Sequence, residues 1–290
     1  MTNTRPLAVV MVADPTPLTL ANLKALSRWC DLILTEGTTT TRGEPRHPLR
    51  RGWRELLDLE PPRLRVFTTE LAGVNTWQRQ SVQRNGALPM IVFEPDDRPV
   101  LLVDADEFLD ADAVSGLIDQ GLGEPVRLGL VPLYGAVDRV APRIHCCWRS
   151  TWPDLRNARP KRPDVFAAGS LATAGSMRAA SPTAIRFGSP LVDRQRTFGV
   201  HVTLAEPAER LVWKLRNMRH VWDPRIFREQ HLQTMLSAGV HHAGWWLAEY
   251  REPEPWLLEL ASEAELRVAG PDMPEADRRA LRAWSEARLD

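Results

Sequence analysis

Lysine is nearly absent from this chain. Only Lys24, Lys161 and Lys214 occur among 290 residues, although lysine and arginine together number 37. A GC-rich coding composition accounts for the preference for arginine, and it makes each lysine worth locating. Net charge is absent too, because aspartate and glutamate also number 37. A balanced chain lacks the basic field of a nucleic-acid or anionic-membrane binder, so neither partner is expected. Cysteine is scarce. Cys30, Cys146 and Cys147, two of them adjacent, make no disulfide framework and point to a reducing compartment. No apolar run approaches the roughly eighteen residues of a membrane span. The opening MTNTRPLAVVMVADP breaks at an acid and a proline, so no secretory leader is expected. Repeats and low-complexity tails are missing. What is left is the expectation of a soluble, cytoplasmic globular protein of one large domain or two small ones.

What the chain does have is an alternation of strand and helix patterns. Leu7 to Ala13 is a short apolar, β-branched run, read as a strand. Thr16 to Trp29 reads as a helix capped by Thr16, with Pro17 in its first turn. Asp31 to Glu36 is a second buried strand. GTTTTRGEPRHPLRRG after it, rich in glycine and proline, reads as a loop. Arg63 to Thr69 predicts a third strand, Thr76 to Arg84 a helix ended by Asn85-Gly86, Val100 to Val103 a fourth strand and Asp110 to Leu122 a helix. This order predicts an α/β fold with a mostly parallel sheet flanked by helices. Ligands of such sheets bind at the carboxyl ends of strands, where Glu36 and Asp104 fall.

The second half reads differently. Val126 to Tyr134, Ile144 to Trp148 and FGVHVTL predict strands, and RSTWPDLRNARPKRPDVF is basic and aperiodic. Helices are predicted over Glu206 to Met218, Pro224 to Ala238, Pro253 to Val268 and Pro274 to Ala287.

The segment PVLLVDADEFLDADAV carries five acids directly after an apolar run: Asp104, Asp106, Glu107, Asp110 and Asp112. Two readings compete. Asp110 and Asp112 fit the cap and first turn of a helix. Asp104 and Asp106, at i and i+2, point to one side if the chain is extended, and two such carboxylates repel unless a cation joins them. Oxygen ligands of this kind suit Mg²⁺ or Mn²⁺, which can bridge two phosphates and neutralise a diphosphate leaving group.

On these motifs the chain resembles the GT-A glycosyltransferases and, within them, family 17, which attaches N-acetylglucosamine in β1,4 linkage. CDLILTEGTTTTRGEPRHPL is similar to that family's strand ending in Glu. NTWQRQSVQRNGAL is similar to its helix before the metal motif, and LLVDADEFLDADAV to its D-V-D-E-I-P. LYGAVDRVAPRIHCCWRSTW resembles its aromatic strand pair. FGVHVTLAEPAERLVWKLRNMRH resembles its A-G-W-H-F-S followed by K-L and a His. The resemblance runs over residues 5 to 222 in the family's order. Val200 stands where the family has Trp, and Phe108-Leu109 where it has Ile-Pro.

The resemblance implies a GT-A catalytic domain over 1–222, with a nucleotide-binding half over 1–122 and an acceptor half over 123–222. Residues 223–290 would form a helical extension packed on it. It implies a metal-dependent, inverting transfer of a sugar, GlcNAc in the family, from a UDP-sugar to an acceptor hydroxyl of a glycan or a small molecule. The cation, Mn²⁺ or Mg²⁺, would be held by Asp104, Asp106 and His201, with Asp106 the direct ligand. Glu36, Thr38, Arg79, Asp104 and Lys214 would bind the nucleotide and its diphosphate, and Asp193 is preferred over Asp138 and Asp154 as the base. Trp148 and Trp152 are candidates for acceptor stacking, and His241-His242 looks site-like outside the resemblance. Two other classes compete: a catalytically inactive nucleotide-sugar-binding protein, and a phosphatase of the haloacid dehalogenase type. The second wants its D-x-D on an early strand, followed two residues later by Thr or Val, where this chain has Phe108.

Overall fold

A computed structural model describes residues 5–40, 45–74, 76–121, 123–140, 166–192, 196–203, 205–207, 210–211 and 249–270. In chain order the elements are β1 (Leu7–Val12), α1 (Pro17–Ser27), β2 (Asp31–Gly37), α2 (Gly52–Leu57), β3 (Leu64–Thr69), α3 (Thr76–Asn85), α4 (Leu88–Ile91), β4 (Pro99–Asp104), β5 (Glu107–Leu109), α5 (Ala111–Asp119), β6 (Val126–Tyr134), β7 (Arg139–Val140), β8 (Phe166–Thr173), α6 (Ala174–Ala180), α7 (Pro182–Gly188), β9 (Gly199–Thr203), β10 (Glu249–Tyr250) and α8 (Pro255–Glu263). The chain divides into two compact units. One comprises Met1–Leu130, Ala167–Val200 and Trp213–Trp222, and the other Val131–Phe166, His201–Val212 and Asp223–Asp290.

The first unit is the expected α/β fold. β1 lies between β2 and β4, β3 lies outside β2, and all four run parallel. β8 lies on the other side of β4, antiparallel to it, and is followed by β6. β1 and the centres of β2 and β4 are apolar and buried, as strands of a parallel sheet covered on both faces require, whereas the outer β3 is only partly buried. Val9 sits opposite Ile33 on one side and Leu102 on the other. Since alternate residues share a face, Leu7, Val9, Ile33, Val100 and Leu102 build one side of a core with Ile91, Met177 and Ile185 from the helices. Each such side chain, once buried, contributes about 1.5–3 kcal/mol.

Helix starts follow local chemistry. Thr16 Oγ1 accepts from Thr19 N at 3.2 Å, with Pro17 in the first turn of α1. Asp110 accepts from Ala113 N at 2.9 Å, with Asp112 in the first turn of α5. Those two acids serve the helix, as one of the two readings of the acidic segment holds. Gly199, at φ +144°, has a conformation and a close approach that only glycine tolerates: a Cβ there would collide with the Phe108 carbonyl of β5.

At the amino ends of these strands lies a closed arginine–carboxylate network. Arg98 donates to Asp31 at 2.6 Å and to the Arg5 carbonyl at 3.0 Å, and also pairs with Glu94. Arg65 reaches Glu94 at 2.6 Å and the Met90 carbonyl at 3.2 Å. Burial pushes the Glu94 carboxyl up, but hydrogen bonds and charge from Arg98 and Arg65 outweigh it and hold the group below its ordinary value.

In the second unit, β7 pairs antiparallel with β10 and meets β6 at Leu133 opposite Val140. Asp138, 1% exposed, accepts from the backbone N–H groups of Ala269 and Gly270 at 3.0 and 2.6 Å. Arg139 donates to the Gly270 carbonyl at 2.8 Å. The helix predicted over Pro253 to Val268 ends at Glu263. Glu265 adopts a left-handed φ of 54°, and the chain continues extended so that Val137 N reaches the Arg267 carbonyl at 3.0 Å. Arg267 N in turn donates to the Ala205 carbonyl at 2.9 Å. Burial lowers the Arg267 guanidinium pKa to about 10, against an opposing influence from Tyr134.

The sequence reading missed α2 in the glycine- and proline-rich loop, and α4, β8, α6 and α7 altogether. The strand predicted over Ile144 to Trp148 and the helices predicted over Pro224 to Ala238 and Pro274 to Ala287 lie outside the described residues, as does most of Glu206 to Met218. No described helix is long and apolar enough to cross a membrane.

Candidate active site

The site forms in the first unit, where β1, β2 and β4 deliver their carboxyl ends. Two amides fix that edge. Gln83 of α3 donates through one nitrogen to the Val12 carbonyl at 3.0 Å and the Thr35 carbonyl at 2.7 Å, joining β1 to β2. Asn22 of α1, fully buried, donates to the Asp104 and Ala105 carbonyls at 3.2 and 3.1 Å. Those bonds set the path of the chain as it leaves β4. Asp104 is the last strand residue, and Ala105-Asp106 form a turn into β5. This corrects the expectation of an extended Asp-Ala-Asp segment: Asp106 sits on the turn, because Asn22 gathers two successive carbonyls there.

Asp104 is held by two arginines. Arg84 of α3 donates to Oδ1 at 3.0 Å and Arg186 of α7 to Oδ2 at 3.1 Å. Arg186 also donates to Glu107 Oε2 at 3.1 Å, pairs with Glu107 Oε1 and reaches the Leu102 carbonyl at 3.2 Å. Glu107 accepts from Asp104 N at 2.9 Å, which returns the turn to the same carboxylate. Burial works to raise the Asp104 carboxyl, but Arg186 and then Arg84 outweigh it, against opposition from Asp106, so it stays below the usual carboxylate range. Burial alone would depress the Arg186 guanidinium, and Glu107 and Asp104 reverse that, so it stays protonated. Both arginines are buried, whereas the Asp104 side chain remains 27% exposed. Among the described residues Arg84 Nη1 and Asn22 Oδ1 are buried with no hydrogen-bond partner. Leaving such an atom unmatched costs about 1–3 kcal/mol.

Glu36, one residue before the end of β2, is almost fully buried, with its oxygens taken by its own chain. Oε1 accepts from Leu49 N at 2.9 Å and Trp53 Nε1 at 2.6 Å, and Oε2 from Arg50 N at 2.9 Å. It therefore folds the loop before α2 back onto the strand end. Thr38 Oγ1 donates to Glu70 at 2.7 Å and accepts from Leu71 N at 3.0 Å. Thr39 Oγ1 is buried and without a partner among the described residues. Asp14, just past β1, pairs with Arg46 of the same loop.

Arg79 is half-buried on α3. His201 is half-buried on β9 and belongs to the second unit. Asp138 anchors the backbone of the second unit with both oxygens, which leaves it ill-suited to act as a base. Asp193, Asp154, Lys214, Trp148, Trp152 and His241-His242 lie outside the described residues. Among the described residues no three His, Cys, Asp or Glu side chains converge as a metal-binding group. The donors present at the strand end are carboxylate oxygens, which suit a hard cation. Asp104 is engaged by two guanidiniums, and Asp106, on the adjacent turn, is the second carboxylate at this strand end. Sequence reading missed Arg186 as a site residue; its one signal, an arginine inside the apolar PTAIRFG, names no partner.

No family model matches the chain, and no curated protein matches it. Among solved structures it is similar to a 4-diphosphocytidyl-2C-methyl-D-erythritol synthase, with 13% identity and a TM-score of 0.39 over 80% of this chain and 99% of that one. It is similar to an active-site mutant of LgtC at 14% identity and a TM-score of 0.32, over 60% of this chain and 59% of that one. It is also similar to mouse xyloside xylosyltransferase 1 at 14% identity and a TM-score of 0.30, over 61% of this chain and 69% of that one. The functional reading rests on the site's own residues.

Proposed function

We propose that the first unit binds a nucleotide sugar at the carboxyl ends of β1, β2 and β4, and that the protein is a glycosyltransferase of the GT-A type. One observation carries this reading: the acidic end of β4, which Asn22, Glu107, Arg84 and Arg186 fix at the edge where parallel sheets bind ligands. In this reading Asp106 would help to hold a divalent cation, Mn²⁺ or Mg²⁺, which would supply charge neutralisation for a diphosphate leaving group. Asp104, kept ionised by its arginines, accepts from hydroxyls of the donor. The loop folded by Glu36, with Thr38 and Thr39, borders the nucleotide, and Arg79 and Lys214 serve its phosphates. Asp193 is assigned the deprotonation of the acceptor hydroxyl, which an inverting transfer requires. The donor is taken as UDP-linked, and the acceptor as a glycan or a small hydroxylated molecule.

Thermal-shift titration with UDP, UDP-glucose and UDP-N-acetylglucosamine, with and without Mn²⁺, tests the reading. A melting-temperature rise that needs both sugar nucleotide and metal is expected. Asp106→Ala should remove the benefit of the metal while the protein stays folded. No stabilisation by any of these nucleotides would sink the reading, and metal-dependent stabilisation that survives Asp106→Ala would move the cation elsewhere.

A further inference from the structure

We propose that Phe187 is the stacking wall of a pyranose subsite, and that it receives the sugar carried by the nucleotide; this rests on the nucleotide-sugar reading above. Phe187 is 63% exposed, although its neighbours Ile185 and Arg186 on α7 are buried. Phe187 thus leaves most of its ring to solvent beside a buried ion cluster, where a ligand could pack on it.

The Arg84 guanidinium lies over the Phe187 ring, 5.6 Å from its centroid. That same guanidinium spends Nη2 on Asp104 Oδ1 at 3.0 Å. Its Nη1 is buried and, among the described residues, without a hydrogen-bond partner, on a side chain only 6% exposed. One guanidinium thus bridges an exposed aromatic surface and a part-exposed carboxylate, with one donor to spare.

A pyranose matches these three features together. Its C–H face is apolar and weakly positive, and it packs on the negative face of an aromatic ring. Its rim carries hydroxyls that both accept and donate, which suits a spare N–H and a carboxylate with lone pairs left over. A nucleobase would also stack on Phe187, but the acidic turn of Asp104 and Asp106 belongs to the diphosphate end of the ligand. Of the two groups that a diphosphate carries, the nucleoside and the sugar, the ring is assigned the sugar.

Isothermal titration of the full chain in Mn²⁺ with UDP, UDP-glucose and UDP-N-acetylglucosamine, on wild type, Phe187→Ala and Phe187→Trp, tests this. Stacking energies of this class correspond to about a two- to tenfold change in affinity. Phe187→Ala should weaken the sugar nucleotides by that factor and leave UDP unchanged, and Phe187→Trp should restore the difference. Equal weakening of UDP would put the base on the ring and overturn the subsite, and so would no weakening of either ligand. If wild type bound none of the three, the nucleotide-sugar reading itself would fall and take the subsite with it. Wild-type binding with an indifferent Phe187→Ala rejects the subsite alone.

Discussion

At the amino ends of β1, β2 and β4, Asp31 and Glu94 are shared among Arg5, Arg65 and Arg98. At the carboxyl ends of the same sheet, Asp104 and Glu107 are shared between Arg84 and Arg186. The parts are nearly the same, but the finish differs. The amino-end acids are 15% and 9% exposed, and their arginines run on into backbone carbonyls of Arg5 and Met90. The carboxyl-end cluster leaves Asp104 27% exposed, sets a further carboxylate, Asp106, on the adjacent turn, and has an exposed phenylalanine against one of its arginines. A buried ion pair is weak evidence of stability, since desolvation offsets much of the attraction. What separates the two clusters is where the exposure falls: at the amino ends it is on a cation, Arg5 at 39%, and at the carboxyl ends on an anion, Asp104.

Breaking the carboxyl-end cluster from beneath should have the largest effect. Glu107→Ala leaves the buried Arg186 with Asp104 and the Leu102 carbonyl but without its closest carboxylate, and removes the acceptor for Asp104 N, so a loss of about 3 kcal/mol is expected in urea unfolding. A loss under about 1 kcal/mol would mean that Glu107 does not hold the turn. Arg98→Met takes one partner each from Asp31, which keeps Arg5, and Glu94, which keeps Arg65, and should cost about 2 kcal/mol by the same measurement. The contrast lies in binding: at a temperature where each variant is folded, Arg98→Met should leave nucleotide-sugar affinity intact and Glu107→Ala should not. Equal effects on affinity would erase the distinction between the two ends.

A smaller effect concerns acid. Glu94 has its carboxyl held below the ordinary value in the folded state, so its contribution is complete above that value and is lost as pH falls through and below it. Unfolding midpoints measured downward from about pH 5 should therefore decline, and Arg98→Met should make the decline shallower. An unchanged slope would reject Glu94 as a source of acid sensitivity. Smallest of all is Phe187→Ala, which should shift stability by less than about 0.5 kcal/mol because the ring is exposed. A larger loss would make Phe187 a packing residue.

The same contrast explains what could be read from sequence. β1, β2 and β4 are unbroken apolar runs covered on both faces, so their pattern is local and complete. The Asp110 cap is equally local, since acceptor and donor are three residues apart. Arg186 was not legible, because the carboxylates it serves are 79 and 82 residues away, and its own helix is one short apolar segment with no acid near it. The turn at Ala105-Asp106 was missed for a related reason: it contains neither glycine nor proline and is imposed from α1 by Asn22. Helix α2 was hidden because Glu36, not propensity, organises the loop ahead of it. Local chemistry gives the strands and caps, and long-range polar contacts give the site.

Gln83 and Arg84 are neighbours on α3, so their side chains leave the helix about 100° apart. One is fastened to β1 and β2, the other to the acid that ends β4. The helix is therefore keyed like a two-toothed part: no rotation about its axis serves both teeth except the one it has. A single residue inserted between Gln83 and Arg84 would swing one tooth out of its socket and disarm the site while most of the sheet remained intact.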